Sequence, residues 1–156
     1  MTLFEKLELS IPTGVAFYMG DWKEIARNFA VKKDGSTRFP AIILSPQFTE
    51  KEKELMYNSF DFTFYICYPT KQNYSFVQRE KLIFEECIKP IWEQLKENFI
   101  YNNYICSAYD TGKYESDLIR VPWENVDGTK LNDIVDVLQI DIKDFKMWLD
   151  NSNFIK

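Results

Sequence analysis

The stretch Asn73–Phe99 limits the folds open to this chain more than any other. Its apolar residues Phe76, Val77, Ile83, Phe84, Cys87, Ile88, Ile91, Leu95 and Phe99 recur at helical steps, a spacing that gathers them on one wide face of a helix. Immediately upstream, Phe60, Phe62, Phe64, Ile66 and Tyr68 alternate with Asp61, Thr63, Tyr65 and Cys67, the period of a half-buried strand. A long helix laid across a sheet is the expected centre of the fold. Asn73, or Ser75 with Gln78 at capping-box spacing, marks the helix start. Pro90 falls inside the pattern, where it removes an N–H and crowds the Glu86 carbonyl, at a cost of ~3 kcal/mol in a straight helix. Because the apolar spacing continues through Ile91, Leu95 and Phe99, one kinked helix is expected in place of two.

The segments ahead of this centre carry their own periods. Leu3, Phe4 and Leu7 are helically spaced before Ser10, Pro12 and Gly14, giving a short helix or a docking arm over residues 1–13. Val15–Met19 reads as a strand. Asp21 and Glu24 form a capping pair for a helix over 22–31, with Trp22, Ile25, Ala26, Phe29 and Ala30 on one face. Phe39–Leu44 is extended, since proline disfavours the helical region for the residue before it. Its unbroken apolar run predicts a strand covered on both faces. Thr49 and Glu52 have the spacing to cap a short charged helix that has only Leu55 and Met56 for an apolar face.

Beyond the long helix the chain reads as strands. Tyr104–Tyr109 is one, Asp110–Ser116 a polar loop, and Leu118–Trp123 a strand kept to an edge or a bulge by Pro122. Asp127-Gly128 marks a turn. In the last long run, Leu138, Ile140 and Ile142 share one parity, while Phe145, Met147 and Leu149 take the other. One strand keeps both sets on the core only through a β-bulge between 142 and 145. The polar tail 150–156 is free to move or to dock. The reading is one α+β domain over 1–156, an antiparallel or mixed sheet with a long kinked helix and a shorter helix packed on one face.

Composition restricts the chemistry. There is no histidine among the 156 residues, which removes Ser–His and Cys–His nucleophiles and histidine-containing metal sites. Five glycines form no phosphate loop. A net charge of −5 is a poor footprint for gripping nucleic acid or anionic membrane. Cys67, Cys87 and Cys106 are odd in number and widely spaced, as buried free thiols of a reducing compartment are. With no signal peptide and no apolar run long enough to span a bilayer, the expectation is a soluble protein made in the cytoplasm.

The enzymatic candidate is Asp141-Ile142-Lys143, with Asp127, Asp133 or Asp136 upstream. A carboxylate and a lysine two apart on a strand share a face, as in the half-motif of metal-dependent nucleases. Asp144-Phe145-Lys146 fits equally, and both also read as solvated strand faces. Glu85, Glu86, Glu93 and Glu97 read as a solvated helix side, with Glu85 placed to pair with Lys89. Tyr101, Tyr104, Tyr109 and Tyr114 suit a contact surface or a strand-rich core. No catalytic, cofactor-binding or metal-binding residue is assigned.

The order of segments carries more. Ala16–Trp22 ahead of a helix, Arg38–Leu44, the strand Phe62–Tyr68, Arg79 in a long helix with Ile88–Ile91, and Leu131–Asp136 leading into the last strand follow one another across residues 14–147. In this the chain resembles the neck and tail-completion proteins of tailed bacteriophages, particularly those of crAss-like phages. The resemblance implies a tail-terminator-like α/β sandwich in a virion ring subunit at the head–tail junction or upper tail. Its partners would be further copies of itself and neighbouring neck, portal or tail proteins, with DNA only passing through the lumen. Such proteins have no catalytic residues to transfer and no cofactor. The N-terminal arm, the 110–117 loop and the C-terminal tail are the expected contact regions, with the long helix as scaffold. The alternative is a monomeric acidic interaction module of immunity or inhibitor type, and the third reading is the nuclease.

Overall fold

The computed structural model describes residues 1–21, 40–52, 57–71, 73–106, 110–124 and 130–148, the last two segments as backbone alone up to residue 134. The predicted helix over 22–31, the Asp127-Gly128 turn and the tail lie outside these residues.

The strands form one mixed six-stranded sheet. In chain order they are β1 (Ala16–Met19), β2 (Ala41–Leu44), β3 (Thr49–Glu52), β4 (Tyr57–Pro69), β5 (Asp110–Glu124) and β6 (Lys130–Trp148). The path across the sheet is β1-β2-β4-β6-β5, with β3 also on β4. β1 runs parallel to β2, and every other pair is antiparallel. One edge of β4 is shared end to end, its residues 64–67 pairing with β2 and 58–61 with β3.

α1 (Leu3–Glu8) begins with a Thr2/Glu5 capping box. The long helix α2 runs from Phe76 to Tyr101. As the sequence predicts, its start is the Ser75/Gln78 capping box, with each side chain bonded to the other residue's N–H. Leu3 and Leu7 of α1 join Ile83, Ile88, Trp92, Leu95 and Phe99 of α2 over a sheet face built from Ile42, Leu44, Phe62, Phe64, Ile66, Leu138, Ile140, Ile142 and Phe145. Each such side chain contributes ~1.5–3 kcal/mol through burial. The N-terminal segment therefore packs on this core as a helix. On the opposite face Ala41, Ile43, Cys67, Val135 and Val137 are buried as well, so β2 is covered on both faces as its apolar run requires.

The expected bulge is present. β6 pairs Ile142 with Phe62 and Phe145 with Phe60, so two residues of β6 face Asp61 alone. Asp144 takes the left-handed backbone (φ 55°), a region that aspartate visits more readily than most residues. Its N–H donates to Asp61 Oδ1 at 2.9 Å, which satisfies the group the bulge takes out of the ladder.

Three expectations are corrected. Thr49–Glu52 is strand β3, not a helix: it had little apolar face to dock, whereas Asn58 bonds Glu50 and Lys51 bonds Asp61 across the strand pair. Residues 110–116 are not a loop but the first half of β5, paired to β6 with a slip between Thr111 and Lys113. The strand expected at 104–109 is reduced, over its described part, to an isolated bridge from Ile105 to Met147.

Candidate assembly surface

α2 is wound in two ways. After one α-turn, Arg79–Ile88 is a π-helix and Lys89–Tyr101 an α-helix. The buried positions follow the winding: Ile83 to Ile88 is a step of five, then Trp92, Leu95 and Phe99 return at helical steps. Lys89 N–H reaches the Phe84 carbonyl, five residues back. Pro90 has no N–H with which to continue that ladder, so the wider winding ends there and α winding resumes. The helix is continuous through Pro90, as expected, and the irregularity lies on its N-terminal side.

Each end of α2 presents apolar surface to solvent. Phe76 and Val77, expected on the buried face, are 83% and 74% exposed, and Ile100 and Tyr101 are each 78% exposed. The Phe76 ring is held by the Arg79 guanidinium, 5.5 Å from its centroid. Arg79 is itself fixed by Asp136 of β6, whose Oδ1 accepts from Nε at 2.8 Å and from a terminal guanidinium nitrogen. Asp136 is fully buried, so this pair is desolvated and the arginine geometry rigid. Deeper under the π segment, the Cys87 thiol donates to the Leu82 carbonyl at 3.2 Å. Hydrogen bonding to Cys87, with that thiol's charge and burial adding to it, raises the Tyr68 phenol above its usual range.

At the other end, Asn102 is buried and donates to Lys6 O and Ser10 Oγ at 2.8 Å each, while its own oxygen accepts from Tyr104 N–H. Asn98 bonds the Ser10 carbonyl at 2.9 Å, so α1 is tied along the last turn of α2. Lys6 is spent inside the fold: it bonds the Trp148 carbonyl at 2.9 Å and lies 5.4 Å from the Tyr104 ring centroid. Beside this turn runs an open groove of about 590 Å³, lined by Glu93, Lys96, Glu97, Ile100, Ile105 and Cys106 among others. A second, of about 350 Å³, lies between Leu9 and Tyr101–Tyr104.

The acidic candidates are in structural use. Asp141 accepts from the Thr63 hydroxyl at 2.6 Å. Asp144 accepts from the Ser59 hydroxyl at 2.6 Å and pairs with Lys146 at 3.4 Å. Asp136 lies on the helix side of the sheet with Arg79, whereas Asp141 has the opposite parity on the same strand, so these two carboxylates do not converge. Among the described residues no group of three His, Cys, Asp or Glu side chains is placed to hold a metal. Asp61 titrates below the usual carboxylate range, chiefly through the Asp144 N–H and next through Lys51, with burial opposing. Burial raises the Cys67 thiol strongly and Cys106 less, Lys146 opposing it at Cys106. Glu85 pairs with Lys89 and Glu93 with Lys96 on the solvent side of α2. Asp127 and Tyr109 are outside the described residues, and for Tyr114 and Asp133 only the backbone is described. No described helix is long and apolar enough to cross a membrane.

β5 and β6 continue past the rest of the sheet. β4 pairs with β6 as far as Val135, beyond which, among the described residues, Arg120–Glu124 and Ile134–Lys130 pair only with each other, a two-stranded ribbon of five pairs. It extends about 16 Å beyond the end of β4. Comparison of the chain with models of known protein families and with curated proteins found no match.

Proposed function

We propose that this chain is a structural ring subunit of a tailed-phage particle, placed at the head–tail junction or the upper tail and acting by self-association and docking around the DNA channel. The observation that carries the reading is the β5–β6 ribbon. A two-stranded hairpin is marginal in water on its own, and an edge strand fifteen residues long offers a row of backbone groups to another chain. In this reading a neighbouring subunit packs against that edge. The exposed apolar pairs at both ends of α2 favour contacts on two sides, as a ring requires. The net charge of −5 suits a lumen through which DNA slides without being gripped. The ordered likeness to neck and tail-completion proteins supplies the particle.

Mass photometry of the purified protein, alone and with neck and tail proteins of its particle, tests the reading together with its copy number in purified virions. A closed oligomer and a fixed multiple of the subunit per virion are expected. A chain that stays monomeric under all these conditions and is absent from particles overturns it, and a one-to-one complex with a basic partner would then favour an acidic inhibitor.

A further inference from the structure

We infer that subunits join head to tail through the two ends of α2, with Phe76 and Val77 of one copy seated in the groove beside Ile100 of the next. The inference rests on the ring reading and names its interface.

Three observations identify a second copy as the occupant. The first is complementarity of form. The start of α2 offers a projecting apolar pair, 83% and 74% exposed, and its far end offers an open groove of about 590 Å³ with apolar walls at Ile100 and Ile105. The knob is also held in advance of binding, since Arg79 lies under the Phe76 ring and is anchored by Asp136. A fixed side chain loses less freedom on docking than a mobile one.

The second is charge. Around the knob, Lys71 and Lys81 outnumber Glu80 even with the Arg79 charge neutralised by Asp136. At the groove, Glu93 and Glu97 outnumber Lys96, which pairs with Glu93. Lys81 and Glu97 are exposed and have no ion-pair partner among the described residues. The helix dipole adds to both signs, positive at the start of α2 and negative at its end. A head-to-tail contact brings unlike charges together at every junction, whereas knob-to-knob or groove-to-groove contacts bring like charges together.

The third is placement. The two patches lie at opposite ends of one helix, at most about 36 Å apart. They are different surfaces, so their contact is heterologous and propagates from copy to copy until the rotation closes it. The exposed apolar pairs are small beside the ~800 Å² that each partner buries in a standard interface. A single junction is therefore weak, and the closed ring gains its stability from simultaneous contacts.

The test uses the full chain. Replacing Val77 by Cys places a thiol on the knob, and native Cys106 already lines the groove. A short bismaleimide should join V77C to Cys106 of another copy, read as an inter-chain peptide by mass spectrometry. Phe76→Ser with Val77→Ser should raise the dissociation constant of self-association at least tenfold with an unchanged circular-dichroism spectrum. Lys81→Glu should weaken association several-fold, and adding Glu97→Lys to the same chain should recover it. If the wild type forms rings while cross-links join only V77C to V77C, or while the serine variant assembles as before, this interface is wrong and the ring reading stands. A wild type that never associates overturns both.

Discussion

The two halves of α2 are held to the same sheet by different means. The C-terminal half, Lys89–Tyr101, is α-helical and buries Trp92, Leu95 and Phe99 in succession. The N-terminal half, Arg79–Ile88, is a π-helix that buries only Ile83 and Ile88, five residues apart, and is tethered by the Arg79–Asp136 pair. Regular apolar spacing permits regular winding. Where that spacing lapses, the strongest fixed contact is a charged one, and the chain takes the wider turn that meets both requirements. The α half depends on packing and the π half on one polar anchor.

The largest effect that separates them should come from the α half. Phe99 is 4% exposed and meets Phe145 edge-on at 5.3 Å. Phe99→Ala should cost about 4 kcal/mol in urea unfolding, the sum of lost transfer and a cavity. If the loss were under ~1 kcal/mol, the α half would not be the packed one.

In the π half the corresponding test is electrostatic. Arg79→Ala leaves Asp136 buried with no counter-charge and should cost about 3 kcal/mol. The low end of the usual range applies because the Arg79 side chain keeps 13% exposure. The double change Arg79→Met with Asp136→Leu should return stability to within about 1 kcal/mol of wild type. If the double variant were as unstable as the single one, the anchor would act through packing and the contrast between the halves would fail.

Between these lies the polar tie at the end of α2. Asn102→Ala strips partners from Lys6 O, Ser10 Oγ and Tyr104 N–H and should cost about 2 kcal/mol. Hydrogen exchange should then speed up in α1 ahead of the π segment. Equal acceleration in both regions would show that the halves unfold as one unit.

The same division explains what was legible in the sequence. The bulge at Asp144 could be read because apolar parity must change when a strand keeps one face on the core. The Ser75/Gln78 cap and strand β4 were legible for the same reason: each is set by residues close in sequence. Steps of three and four place Phe76 and Val77 on the buried face, whereas the π segment advances by five and leaves them exposed. Trp92 is missed because a step of three from Ile88 to Ile91 fits the sequence as well as the step of four that the helix uses. The Arg79–Asp136 pair is not legible in the sequence, where Asp136 reads as a candidate metal ligand and as part of the run into the last strand, because the two residues lie 57 apart. Residues 110–116 read as a loop because polar alternation along an edge strand looks like irregular chain until its partner is known. The candidate surface was least legible: α2 was read as scaffold, yet both of its ends carry the exposed apolar pairs.

The smallest effect is the most discriminating for the winding. In an α-helix interior, proline costs ~3 kcal/mol, and replacing it by alanine should return most of that. Pro90 instead stands at the second position of the α segment, where a missing N–H is tolerated. The wide turn before it also relieves the crowding of its ring against the carbonyl four residues back. Pro90→Ala should therefore change stability by no more than about 0.5 kcal/mol, because the new N–H only lengthens the π ladder by one bond toward Glu85. A gain approaching ~3 kcal/mol would mean that the proline interrupts a helix that otherwise winds as α throughout, and that the two halves differ only because of it. A neutral result, with Arg79→Ala still costly, assigns the wide winding to the anchor at Asp136 and the proline to marking where it ends.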